Sequence, residues 1–159
     1  VNKHIFHKDD IKIGPRMIVF IGERPGQVRK TCHDYFAFKG NKSGDLLHKI
    51  TSKIKNRGYI LMNVIPYHIK GVTNDEARMH DTLIEYKKFS SELYLYMKYF
   101  PVTDIVCLGE FSYKMYNKYC VNKLKKISHN IWSFAHPSFI MRFNMDKDIY
   151  IYTILRVLS

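Results

Sequence analysis

The sequence predicts an α/β fold: one domain over residues 1–159, in three layers, with helices on both faces of a central, mostly parallel four-stranded sheet. Two observations predict it. Short continuous apolar runs, the pattern of strands buried on both faces, alternate with longer stretches whose apolar residues recur at helical spacing. No repeat, linker or shift of composition interrupts that alternation along 159 residues, a length that suits a single core.

Each element has its own signal. Residues 17–21 (MIVFI) form the first apolar run, closed by Gly22. Residues 43–55 place Leu46, Leu47, Ile50 and Ile54 on one helical face, with Ser43 as the expected N-cap. Residues 59–64 (YILMNV) read as the second strand, and residues 66–79 as a long polar loop of the kind that carries function. A long amphipathic helix follows over 81–99, ended by Pro101. Residues 104–108 (DIVCL) are the third strand, with a helix over about 110–118. Residues 126–134 are the fourth strand, and a C-terminal helix begins near Lys147.

Composition narrows the function classes. Lys and Arg total 26 against 14 acids, a formal charge of +12 spread along the chain, which favours a polyanionic partner. The same Lys-, Ile-, Tyr- and Asn-rich composition also fits an AT-rich genome, and a viral or phage source with it. No apolar run reaches membrane-span length, and the first ten residues lack the apolar core of a signal peptide. A soluble, intracellular protein (cytoplasmic or nuclear) and a monomer is expected. The 3 cysteines show no C-x-x-C spacing, so neither a four-thiolate cluster nor a disulfide framework is expected. No metal or cofactor is called for, and Cys107 reads as core.

In open parallel sheets the ligand lies beyond the carboxyl ends of the strands. Three expected strands end in polar or glycine-containing text: GERPG at 22–26, Asn63, and HPS at 136–138. Together with FKGNKSGDLL at 38–47, LMNV at 61–64, DIVCLGE at 104–110 and HPSFIMR at 136–142, GERPG resembles, in order, the motifs of the uracil-DNA glycosylase superfamily. The likeness is to its GEAPG-type branch (family four) and spans about residues 17–158.

The resemblance implies a monofunctional DNA glycosylase of base excision repair, which flips a uracil or modified pyrimidine out of DNA and hydrolyses its N-glycosidic bond. Extrusion is required because the sugar–base bond is unreachable within the stack. Glu23 would sit beside the anomeric carbon and place the attacking water, and His136 would donate a hydrogen bond to O2 of the leaving base. Asn63 would read the pyrimidine edge, and Phe38 or Phe36 would stack on the base. Gly22 and Gly26 would let backbone approach the ligand closely. Arg24, Ser138, Arg142 and Lys70 are candidate phosphate contacts, and Phe139, Ile140 or Met141 a candidate wedge into the stack. Taken singly, each residue has a plainer reading: Asn63 as a polar strand end, His136 as a loop histidine, Glu23 as a holder of its turn, and the apolar residues after HPS as a packed helix.

The pattern departs from that branch in four places. Its cluster-ligating cysteines are absent, Arg24 replaces a small residue, the stretch from Gly26 to Phe38 is longer, and residues 66–79 with their flank (His68, Lys70, Arg78, His80) differ from the usual proline-rich segment. Covalent capture of the sugar by His68 or His80 is not expected, because the basic loop that performs it elsewhere is not reproduced. The alternative is a catalytically inactive DNA-binding or replication-accessory protein of the same fold. A nucleotide-binding enzyme of unrelated function has no G-x-G-x-x-G or Walker sequence to support it.

Overall fold

The computed structural model describes residues 10–26 and 42–159. Phe36, Phe38 and Cys32 lie outside the described residues. The strands are β1 (Ile11–Lys12), β2 (Met17–Gly22), β3 (Gly58–Asn63), β4 (Val102–Leu108) and β5 (Asn130–Phe134). The helices are α1 (Lys42–Ser52), α2 (Asn74–Arg78), α3 (Leu83–Tyr99), α4 (Glu110–Tyr119), α5 (Pro137–Arg142) and α6 (Lys147–Leu158).

The sheet has 5 strands in the order β1-β3-β2-β4-β5. β3, β2, β4 and β5 are parallel, as expected, and the two-residue β1 adds an antiparallel edge beside β3 that its short, weakly apolar text does not announce. Period-two alternation along β2 divides the core. Met17, Val19 and Ile21 face one apolar layer with Phe89 and Leu93 of α3 and Met115 and Tyr116 of α4. Ile18 and Phe20 face the other, with Leu47 and Ile50 of α1, Ile140 of α5 and Ile154 of α6. Both faces are covered, which is why β2 reads as an unbroken apolar run.

Other element boundaries moved for local reasons. The polar segment 66–79 is not all loop: Thr73 caps the short α2 by accepting from the Glu76 backbone N–H. Thr82 and Glu85 form a reciprocal capping box that starts α3. Ser43 lies in the first turn of α1 rather than at its cap. The last strand begins at Asn130 instead of residue 126, because Leu124 and Ile127 close turns onto Cys120 and Leu124.

The connections set where a site can lie. From β2 the chain passes through α1 to β3 on one side, and from β4 through α4 to β5 on the other. The paths diverge between the carboxyl ends of β2 and β4, where parallel sheets of this kind open a crevice. At the opposite end, the buried Arg57 clamps the sheet. It donates to Asp104 Oδ2 at 2.6 Å, Thr103 Oγ1 at 2.5 Å and the Leu158 carbonyl at 2.8 Å.

Candidate active site

Glu23, Asn63, Gly109 and His136 all sit at or just past the carboxyl ends of parallel strands, on one edge of the sheet. Gly22 pairs with Asn63 in register. The ladder continues past both strands, since Val64 N–H donates to Gly22 O and Ile65 N–H to Glu23 O, each at 2.9 Å. Glu23 and Asn63 are therefore both buried and both fixed by backbone pairing. Gly109 N–H donates to Phe134 O at 2.7 Å and ties the end of β4 to that of β5. Its φ of +95° belongs to the left-handed region, and a Cβ there would lie 3.4 Å from His136 Cβ.

His136 is the N-cap of α5, and Pro137 at the first helical position is preset for the helix. Its Nδ1 accepts from the Ser138 backbone N–H at 3.0 Å and lies 2.8 Å from Ser138 Oγ. Nδ1 is thus the acceptor, and the proton of the neutral ring falls on Nε2, leaving a donor. Burial pushes the pKa down to about 4, against the opposing pull of the Glu23 charge. The ring is neutral at physiological pH, and Glu23 is near enough to act on it.

Glu23 closes a chain of ion pairs. Arg78 grips it with two donors, Nε to Oε2 at 3.0 Å and Nη2 to Oε1 at 2.5 Å. Arg24 Nε adds a third bond to Oε2 at 3.0 Å. The rest of the Arg24 guanidinium forms a fork on Asp81, at 3.1 and 2.7 Å, and Tyr86 donates to the same Asp81 at 2.9 Å. Burial is the largest influence on Arg24 and disfavours its charge, but the bonds and charges of Asp81 and Glu23 outweigh it and raise the pKa. Arg78 also reaches Asp75 at 3.0 Å and lies 4.7 Å from the centre of the Phe111 ring. His68 Nδ1 donates to Pro25 O at 3.2 Å, and Tyr67 donates to Glu85. Segment 66–79 is thereby fastened onto GERPG.

The remaining expected residues fall into two groups. Gly26, Lys70 and Arg142 are exposed, and Ser138 is half-buried behind His136. Arg24 is turned inward onto carboxylates, its side chain 4% exposed, so it offers no free fork to a phosphate. Ile140 is core, packed with residues of α1 and α6, because the turn after His136 is helical and rotates it inward. Phe139 and Phe143, by contrast, are exposed with ring centres 4.6 Å apart. Cys107 and Cys120 lie in the apolar layer under α3 and α4, where burial pushes both thiols up to about 12. Two thiols buried in an apolar layer do not fit an iron–sulfur cluster. Among the described residues no group of three or more His, Cys, Asp or Glu could hold a metal ion, and no helix is long and apolar enough to cross a membrane.

Residues 9–157 match the family described as the uracil DNA glycosylase superfamily. The chain belongs to that superfamily. No curated protein matches the chain. Membership agrees with the α/β architecture, and this superfamily is generally one of DNA glycosylases, enzymes that act on DNA. Sequence reasoning did not assign Arg78, Asp81, Tyr86 or Phe111 to the superfamily site. The usable signals were T-x-x-E at 73–76 and 82–85, which mark two helix starts flanking the arginine and aspartate.

Proposed function

We propose that the protein is a monofunctional DNA glycosylase, one unit acting as a monomer, that extrudes a uracil or modified pyrimidine and hydrolyses its N-glycosidic bond. The observation that carries this reading is the fixed Nε2 donor of His136 beside the Glu23 carboxylate, at the strand edge that also holds Asn63.

The roles follow from the chemistry. The flipped base enters with its edge against the Asn63 amide, which can both donate and accept. As the bond lengthens, negative charge gathers on the base, and His136 Nε2–H donates to O2 where it develops. A neutral donor suits this step, and one such donor is worth about 10²–10³ in rate. The C1′–N1 bond breaks with its electron pair going to the base. The oxygen of a water held by a hydrogen bond to Glu23 bonds to C1′, and the proton that water loses ends on the departing base anion. Three of about four acceptor positions on a carboxylate are already taken by arginines, leaving one, on Oε1. Glu23 and Asp81 balance the two guanidiniums, and the solvent-exposed Asp75 adds only a screened charge. Glu23 therefore acts on the sugar through its place at the strand edge and not through a net charge of the cluster. Arg142, Lys70 and Gly26 are available to the DNA backbone, and Phe139 is placed to occupy the gap left by the base.

A second reading, a DNA-binding relative without chemistry, draws on one observation: a carboxylate with two arginines on it is a weak base. Incubation with uracil-containing single- and double-stranded oligonucleotides, followed by alkali, separates the two. Strand breaks at uracil support excision. Salt-sensitive binding with no break for any base of a modified-pyrimidine panel supports the second reading.

A further inference from the structure

We propose that Arg78, at the end of α2, is the positioning residue that aims Glu23, so that segment 66–79 carries part of the hydrolytic machinery and not merely a DNA contact. The inference rests on the glycosylase reading above.

Geometry separates Arg78 from its neighbour Arg24. Arg24 touches only Oε2 of Glu23, and its fork is spent on Asp81. Arg78 engages both oxygens, through Nε and Nη2, and a bidentate fork fixes the plane of the carboxylate as well as its place. The guanidinium is itself held on two further sides, by Asp75 at Nη1 and by the Phe111 ring beneath it. Phe111 lies in the first turn of α4, just after Gly109, so Arg78 links segment 66–79 to the β4 strand end. With both oxygens gripped, the remaining acceptor position on Oε1 points in one direction, and that direction sets where water can be held. The side chain of Arg78 is 37% exposed against 11% for Glu23, so small solutes can reach it.

The test is single-turnover excision by wild type, Arg78→Ala and Arg78→Lys at pH 7.5, with and without methylguanidinium. The alanine variant is expected to lose about 10² in the chemical rate, the scale of a misplaced reacting group, with KM within a few-fold of wild type. Methylguanidinium should restore much of that loss. Lysine keeps the charge without the fork and should recover only a minor part. An unchanged rate, a loss confined to KM, or full recovery by lysine would each overturn the proposal; a KM effect would make Arg78 a phosphate contact. If wild type excises no base, the glycosylase reading fails separately. The geometric part is then read by NMR: the Arg78 Nε–H signal should be protected from exchange in wild type and lose protection in Glu23→Gln. Equal exchange in both proteins overturns it.

Discussion

His136 is tuned by two neighbours and by its burial. Ser138 consumes Nδ1, Gly109 leaves room for the ring, and burial keeps it neutral. Its protonation is therefore displaced from the ordinary range. If excision needs the neutral ring, the acidic limb attributable to His136 lies near pH 4 rather than 6.5, and a pH–rate profile should locate it there. A stability effect accompanies it. The unfolded ring takes a proton below about 6.5 and the folded ring only near 4, so folding free energy falls as pH drops through that window. His136→Gln should flatten denaturation midpoints between those limits. If the Asn63 amide reads the base edge as proposed, Asn63→Asp should shift preference away from uracil in a competition assay. The motif text singled out Glu23, Asn63 and His136, and the fold brings all three to one edge of the sheet. The partner of Arg24 was not legible, since Asp81 lies 57 residues away and nothing local distinguishes an arginine aimed at phosphate from one aimed inward.

The elements that hold these residues have identifiable weak points. Gly109 opens α4 at a φ of +95°. Gly109→Ala should cost about 1–3 kcal/mol for a positive-φ, extended-ψ backbone that only glycine adopts readily, and crowd His136 from 3.4 Å, reducing both melting temperature and excision rate. Asp81 closes the network from the turn between α2 and α3, with no side-chain exposure. Asp81→Ala would leave buried Arg24 short of its counter-charge, at a cost of about 3–5 kcal/mol in chemical denaturation. Phe139→Ala should slow excision from duplex more than from single strands, because only the duplex has a stack to fill. Strands and long helices were legible from period and apolar content. The short α2 was hidden because its five residues bury only Ala77 and give no amphipathic signal; Thr73 was its one clue. The run Phe139-Ile140-Met141 after HPS leaves two readings open, a wedge or a packed helix, because three consecutive apolar residues do not mark which one faces inward. The fold turns Ile140 to the core and Phe139 to solvent.

Across the whole molecule, the sheet is clamped at one end and gathers the proposed site residues at the other. Arg57 and Asp104 sit at the amino ends of the parallel strands. Burial opposes the Asp104 charge, but hydrogen bonds from Trp132, Thr103, Arg57 and Asn130 prevail and hold the carboxyl below its ordinary range. That stability is present above the unfolded carboxylate pKa of about 4 and is lost as pH falls through the lower folded value. Asp104→Asn should therefore destabilise the protein at neutral pH and weaken its acid-unfolding transition. The formal charge of +12 acts over longer range: DNA affinity should fall steeply with salt, and Arg142→Ala should reduce the log–log slope by about 1. The architecture was legible at this scale because strands buried on both faces permit few arrangements, whereas the Arg57 clamp joins positions far apart in sequence and was not.

Whether the three strand ends form one base-excising site is decided by measuring base release and DNA affinity together, for wild type, His136→Ala and Asn63→Ala, over a panel of uracil and modified-pyrimidine oligonucleotides. Wild type should release at least one base, and His136→Ala should lose about 10² or more in rate while binding DNA within a few-fold of wild type. Wild type that binds DNA and releases no base from the panel, or His136→Ala that excises at the wild-type rate, would contradict it.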